Sequence, residues 1–375
     1  MKIAFYLKHF PPLGLPLLGG TAMAVGGLAN GLLSLKQNVT VLCEGQTNSA
    51  HVTANGCQIL SFQQNSSRNL FGIAKGLQEY LKFSSERPDL FVVNGCFHPS
   101  LFFVGKAAAA NGTPYVAASH THYHPALFQR RPYLKWPYWY LIEKRFLKGA
   151  RAIQLYDTRH TAYLRQLGID TRFLAVPNGF SPCDLPDNLP IGHTTKKMTH
   201  LVFRGRIDPH HKGLDLLLQA VAQLKDSHSI KLTIQGPDFG EKKWLEKLAQ
   251  QLCITPVVSF IGPDYSPPYS FLSQHNIFCL PSRFEGFGIA ALEAMLAGRV
   301  LLVTRSAGIA PHVVESGCGV LVEPDKDSIV NGLCELISRR ADWDKMGLDG
   351  QRYAMHKLNW TQIAGETLAD YQSLI

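Results

Sequence analysis

Glu285 and Glu293 bracket the stretch FEGFGIAALEAMLAG (284–298), eight positions apart around a glycine-rich turn and the start of an apolar run. A helix beginning near Phe287 and stopping at Gly298 puts Glu285 on the loop at its mouth and Glu293 inside it. Eight residues at helical rise span about 12 Å, an upper bound because part of the span is turn. That separation suits the two ends of a nucleotide-sugar: sugar hydroxyls for Glu285 and ribose hydroxyls for Glu293. Carboxylates accept paired hydrogen bonds from vicinal diols, and the intervening turn, Gly286, Phe287 and Gly288, would lie against the same donor. A charge set near a helix N-terminus for its dipole would explain Glu285 alone. It explains Glu293 poorly, since that residue sits among Ile289, Ala290, Leu292 and Leu296.

A second stretch, FRGRIDPHHKGLDLLLQA (203–220), sends Arg206 out of a strand and starts an amphipathic helix at Lys212. A guanidinium grips phosphate oxygens bidentately and an ammonium adds a point charge, so the pair suits a diphosphate. Lysine at a helix N-terminus opposes the dipole, a local misfit expected at a functional site. Two solvated surface cations are the competing reading. In PPLGLPLLGGTAMAVGGLANGL, Gly19 and Gly20 open a helix that Thr21 could cap. Glycines there let backbone N–H groups approach an anion, or simply serve the turn. HTHYH (120–124) sets His120, His122 and His124 on one face of an extended strand. No carboxylate lies nearby in sequence, so hydrogen-bonding roles are preferred to a metal site.

These residues need a scaffold of strand ends. Strand-like runs such as KIAFYL, NVTVLCE, CQILSF, LFVVNG and YVAASH alternate with helical patterns at 69–83, 99–110 and 132–149. That alternation signals βαβ units and parallel sheets. Residues 181–198 carry three prolines and no apolar period, and read as a linker. The alternation then restarts at HLVFRGR. The expected fold class is α/β, with two doubly wound Rossmann-like domains over 1–180 and 199–358, facing a central cleft. Ligands of such sheets bind outside the carboxyl ends of the strands.

Composition narrows the class further. The 375 residues carry a net charge of +9, which favours an anionic partner. Eight scattered cysteines without a C-x-x-C pair read as reduced thiols rather than a disulfide framework or a zinc site. The N-terminus does not resemble a signal peptide, and no run of about 18 apolar residues predicts a membrane span. A cytoplasmic protein is expected.

Residues 203–215 and 281–323 resemble the C-terminal domain of the retaining nucleotide-sugar glycosyltransferases of family 4, which have the GT-B fold. Glu285 to Glu293 is similar to that family's paired glutamates, and GRIDPHHKGLD to its diphosphate clamp. VPNGF (176–180) resembles the end of its first domain, and NWTQIAGETLADYQSLI (359–375) its last helix, which returns to complete the N-terminal domain. The resemblance implies that Arg206 and Lys212 hold the diphosphate, Glu293 the ribose and Glu285 the transferred sugar with its developing positive charge. It implies that Gly19 and Gly20 form the loop facing diphosphate and acceptor, and that His120 lies near the transferred sugar. Thr121 departs from the family's glycine after that histidine, and AGIAPHVVE departs from its Gly-Gly-x-Pro-Glu stretch.

Breaking a sugar–phosphate bond leaves charge on the diphosphate and an oxocarbenium-like sugar. Fixed cations stabilise such a leaving group electrostatically, and no Asp-x-Asp sits clearly at a strand end. Metal independence and no cofactor beyond the nucleotide-sugar substrate are therefore expected. The expected partners are that donor and a glycan or lipid-linked acceptor. The basic and aromatic stretch 129–151 adds an anionic membrane surface, on the inner face of the membrane. A solvated basic helix face competes with it, and no nucleic-acid motif is present. A nucleotide-sugar 2-epimerase of the same architecture and a non-catalytic nucleotide-sugar or anionic-surface binding protein stay open beside the transferase reading.

Overall fold

A computed structural model describes residues 1–11, 19–64, 72–83, 87–120, 123–129, 131–186, 192 and 198–375. Part of the loop before Gly19, the start of the 69–83 pattern, Thr121, His122, Arg130 and most of the 181–198 stretch lie outside them. The chain forms two compact units, Met1–Phe180 with Trp360–Ile375, and Ser181–Asn359.

The strands of the first unit are β1 (Lys2–Leu7), β2 (Asn38–Gly45), β3 (Ser49–Val52), β4 (Gln58–Gln63), β5 (Leu90–Asn94), β6 (Tyr115–Ala118), β7 (Ala152–Leu155) and β8 (Phe173–Ala175). They form one sheet in the order β3-β4-β2-β1-β5-β6-β7-β8, in which β3 alone runs antiparallel to its neighbour. The antiparallel β3 is absent from the sequence reading: SAHV is short and mostly exposed, so it carries no apolar signal. The central runs are continuously apolar because helices cover both faces of a parallel sheet, and every residue of β5 and β6 is buried. The Trp360–Gln372 helix packs on the Gly20–Ser34 helix. A side chain at Gly27 would sit 2.1 Å from the Trp360 ring, and one at Gly31 2.4 Å from the Trp360 carbonyl. Only glycine lets the two helices approach so closely.

The second unit is one parallel sheet. Its strands are β9 (Thr199–Arg204), β10 (Ile230–Gln235), β11 (Val258–Ile261), β12 (Ile277–Leu280), β13 (Val300–Thr304) and β14 (Gly319–Val322), ordered β11-β10-β9-β12-β13-β14. The central strand β9 lies between β10 and β12, so the loops leaving β9 and β12 are neighbours at the carboxyl edge. This juxtaposition assembles the candidate site. Among the described residues, no helix is long and apolar enough to cross a membrane.

Candidate functional site

β9 ends at Arg204, and Gly205 turns the chain at φ 153°. Asp208 then caps a single helical turn, Pro209–Lys212, by accepting from the His211 N–H at 3.1 Å. Gly213 follows in the left-handed region at φ 64°, and the long helix begins only at Leu214. Lys212 therefore ends a short turn instead of starting the helix, and the dipole misfit expected from sequence is removed. A Cβ at Gly213 would lie 2.1 Å from the Pro281 carbonyl, so this glycine lets the two loops touch.

Across that contact, Lys212 Nζ meets Glu285 Oε2 at 2.5 Å, with side chains only 11% and 12% exposed. The Ser282 hydroxyl donates to the same oxygen at 3.0 Å. Burial opposes ionisation of Glu285, but Lys212, His211 and these hydrogen bonds together hold its carboxyl below the usual range. The loops are bolted beside the pair. Arg283 grips Asp215 bidentately at 2.8 and 2.7 Å and donates to the Pro209 carbonyl at 2.9 Å. The His211 ring stacks on Phe284 at 4.2 Å, and burial with the adjacent Lys212 pushes it down to about 4, so it is neutral.

A second ion pair lies on the neighbouring element. Arg204 Nη1 donates to Glu293 Oε2 at 2.7 Å, and Nη2 donates to the Asp264 carbonyl at 3.0 Å. Glu293 sits on the Ile289–Leu296 helix, entered through Gly288 at φ 100°. That helix starts two residues later than expected. Burial outweighs Arg204 and raises the Glu293 carboxyl above the usual range. Phe287 is 2% exposed, so its ring belongs to the core, and Gly286 and Phe287 accept from the Gly308 and Ile309 N–H groups. Arg206 is exposed, its guanidinium 5.5 Å from the Phe239 ring centroid.

In the first unit, Gly19 is the N-cap of the Gly20–Ser34 helix at φ 98°, and Thr21 lies inside that helix rather than capping it. Both Gly19 and Gly20 are exposed. His120, at φ 53°, is held on both ring nitrogens. The Asn94 amide donates to the Tyr6 and Val92 carbonyls, so its oxygen accepts from His120 Nε2–H at 2.8 Å. Nδ1 then accepts from the Tyr156 hydroxyl at 2.9 Å. Burial pushes the ring down to about 4, and it stays neutral. His124 lies edge-on to Tyr163 at 5.1 Å. Among the described residues, no three His, Cys, Asp or Glu side chains converge as a metal site.

Residues 190–352 match the family described as "Glycosyl transferases group 1", and residues 19–179 match the "Glycosyl transferase 4-like domain". The chain belongs to the group 1 glycosyltransferases. Over its whole length this glycosyltransferase is similar to an uncharacterized glycosyltransferase of Methanocaldococcus jannaschii, 25% identical over 99% of this chain and 98% of that one. It is 31% identical to the MMP alpha-(1->4)-mannosyltransferase of Mycolicibacterium hassiacum, over 44% of this chain and 40% of the relative's length. Anabaena HepE, solved in complex with UDP and glucose, shares the fold with a TM-score of 0.71 at 17% identity over 100% of both chains. The fold is GT-B.

The glycosyltransferase's site contains residues that sequence reasoning passed over. Arg204 closes an apolar strand run, and Asp215 opens a leucine-rich helix, so both read as parts of their elements. Arg283 sits two positions before Glu285 and gave a signal only in its charge inside an apolar stretch.

Proposed function

We propose that this glycosyltransferase moves a hexosyl group from a nucleoside-diphosphate sugar, with UDP as the nucleotide, to a glycan or lipid-linked acceptor with retention of configuration. The observation that carries this reading is the nearly dry Lys212–Glu285 pair beside the Arg204–Glu293 pair. In a low-dielectric pocket such fixed charges act on a reacting centre far more strongly than in water. In this reading Glu285 faces the sugar as it gains positive charge, and Lys212 with the exposed Arg206 takes the charge leaving on the diphosphate. Glu293 receives the ribose, and the backbone of Gly286, Phe287 and Gly288 lines the donor. Gly19 and Gly20 belong to the loop that meets the diphosphate and acceptor. His120 supports the sugar through its backbone and ring face, since its nitrogens are engaged. HepE's complex with UDP and glucose supports the nucleotide.

A thermal-shift screen of UDP-, GDP- and ADP-sugars tests the donor, because a bound ligand raises apparent stability by mass action. NMR of the product then tests whether the anomeric configuration is retained. Free epimerised donor would replace this reading by a 2-epimerase, and binding without any turnover would replace it by a binding protein. Full turnover is expected in EDTA, since the cations supply the charge a metal would otherwise bring. An absolute requirement for magnesium or manganese overturns that expectation.

A peripheral position on an anionic membrane is part of the same reading. Tyr133, Leu134, Trp136, Tyr140 and Leu141 are 72, 55, 36, 60 and 60% exposed on the 132–149 helix, flanked by exposed Arg131, Arg145 and Lys148. Trp139 is buried, and Lys135 and Lys144 turn inward to the Leu127 and Leu167 carbonyls. The docking face is therefore narrower than the stretch suggests. Each cation near an anionic leaflet contributes about 1 kcal/mol. A triple Arg131, Arg145 and Lys148→Gln variant should lose on the order of 10²-fold in binding to phosphatidylserine vesicles at low salt. Wild-type protein that ignores such vesicles removes the membrane from this proposal.

A further inference from the structure

The 132–149 helix presents a carboxylate inward that the transfer chemistry does not use. Pro132–Tyr138 continues through a π-helical turn, Trp139–Glu143, into Lys144–Gly149. Such turns are uncommon and frequent at functional sites. Trp139 and Glu143 are 0% and 1% exposed, although Tyr140 and Leu141 between them face solvent. Glu143 Oε1 accepts twice, from the Phe97 N–H at 3.1 Å and from the Tyr123 hydroxyl at 2.6 Å. Phe97 lies on the loop leaving β5, and Tyr123 on the loop leaving β6, three residues after His120. Both hold left-handed backbone, at φ 52° and 48°, a conformation that side chains other than glycine resist. Something must hold them there.

The surroundings are apolar. The Phe97 ring packs against Tyr123, Phe128 and Tyr138 at 5.9, 5.7 and 6.0 Å, and Tyr123 lies edge-on to Trp139 at 5.6 Å. The buried Tyr138 hydroxyl has no hydrogen-bond partner among the described residues. One carboxylate is thus the polar centre of an aromatic cluster and ties two strand-end loops to one helix.

We propose that Glu143 is a positioning residue: one of its oxygens pins the loops leaving β5 and β6, on which the acceptor half of the site is built. This rests on the transferase reading, in which the first unit receives the acceptor. Ligands of doubly wound sheets bind at these carboxyl strand ends.

Charge state should tune the grip. Burial pushes the Glu143 carboxyl up to about 7, with the Tyr123 and Phe97 donors opposing. The other groups that bear on the cluster titrate elsewhere. Burial and Glu143 push the Tyr123 and Tyr138 phenols far up, and the Cys96 thiol up to about 12 beside Lys135. Burial pushes down the neighbouring His98, to about 4, and His124. A carboxyl raised in the folded state favours the protonated form. The contribution is therefore complete below the ordinary 4.5 and is lost as pH rises to about 7.

Hydrogen exchange on the full chain, corrected for intrinsic rate, tests this. Peptides covering Gly95–His98 and Tyr123–Phe128 should lose protection by about 50-fold between pH 5 and pH 7.5. Glu143→Gln, which keeps an acceptor oxygen without a charge, should flatten that profile. Glu143→Leu should expose both loops at every pH while leaving β9 to β14 protected. Protection of both loops in Glu143→Leu equal to that of the wild type overturns the proposal. So does loosening in Glu143→Leu that spreads through the whole first unit, because Glu143 would then be a general core residue. The thermal shift with UDP should be equal in all three proteins. Its absence in the wild type would sink the donor reading and leave the exchange result standing.

Discussion

Lys212→Ala is expected to lower turnover by about 10²-fold or more. The reason is placement. Lys212 and Glu285 form a 2.5 Å pair with side chains about nine-tenths buried, where neither charge is screened as it would be at the surface. Removing the ammonium deletes a cation from the leaving diphosphate and also leaves Glu285 buried without its counter-charge. Its carboxyl should then rise, which weakens the charge meant to face a positive sugar. Glu285→Gln should reach a similar loss from the other side while barely changing affinity for UDP, because its partner is the reacting sugar. The double variant should be little worse than either single one, since the two act as a unit. Arg206→Ala, at the exposed cation, should also cost about 10²-fold but add independently. Single-turnover rates with UDP-glucose, set against melting temperature, check all four. Additive losses for Lys212 and Glu285 would show that they do not act as a pair.

Glu293→Gln should instead weaken donor binding, by about 1–3 kcal/mol through lost charged hydrogen bonds. Arg204→Ala should do the same at one remove. Arg204 holds Glu293 at 2.7 Å and ties it to the Asp264 carbonyl, so without it the carboxylate loses both its orientation and its charge partner. Because burial already raises the Glu293 carboxyl, loss of Arg204 should push it higher still and weaken UDP binding most near and below neutral pH. Calorimetric titration of UDP into each variant gives the answer. Equal affinity in wild type, Glu293→Gln and Arg204→Ala would remove Glu293 from the ribose. Unchanged turnover at saturating donor would fit binding shared equally by ground and transition states.

The local elements and the fold class are legible along the chain. Runs such as LFVV and IFCL are apolar throughout because helices cover both faces, and that pattern is local enough to read from composition alone. The 99–110 helix is legible to the residue for the same reason, with proline at its first position. What the sequence could not carry is which charge meets which. Arg204 and Glu293 are 89 positions apart, and Lys212 and Glu285 are 73 apart; each pair exists because β9 and β12 are neighbours in the sheet. Strand order is a property of the whole sheet, so spacing along the chain assigned Lys212, Glu285 and Glu293 a ligand without showing them a protein partner, and passed over Arg204 altogether. The π turn had the same effect on the aromatic stretch. Trp139 and Glu143 turn inward there while Tyr140 and Leu141 face solvent, and no composition rule marks where a helix takes in one residue more.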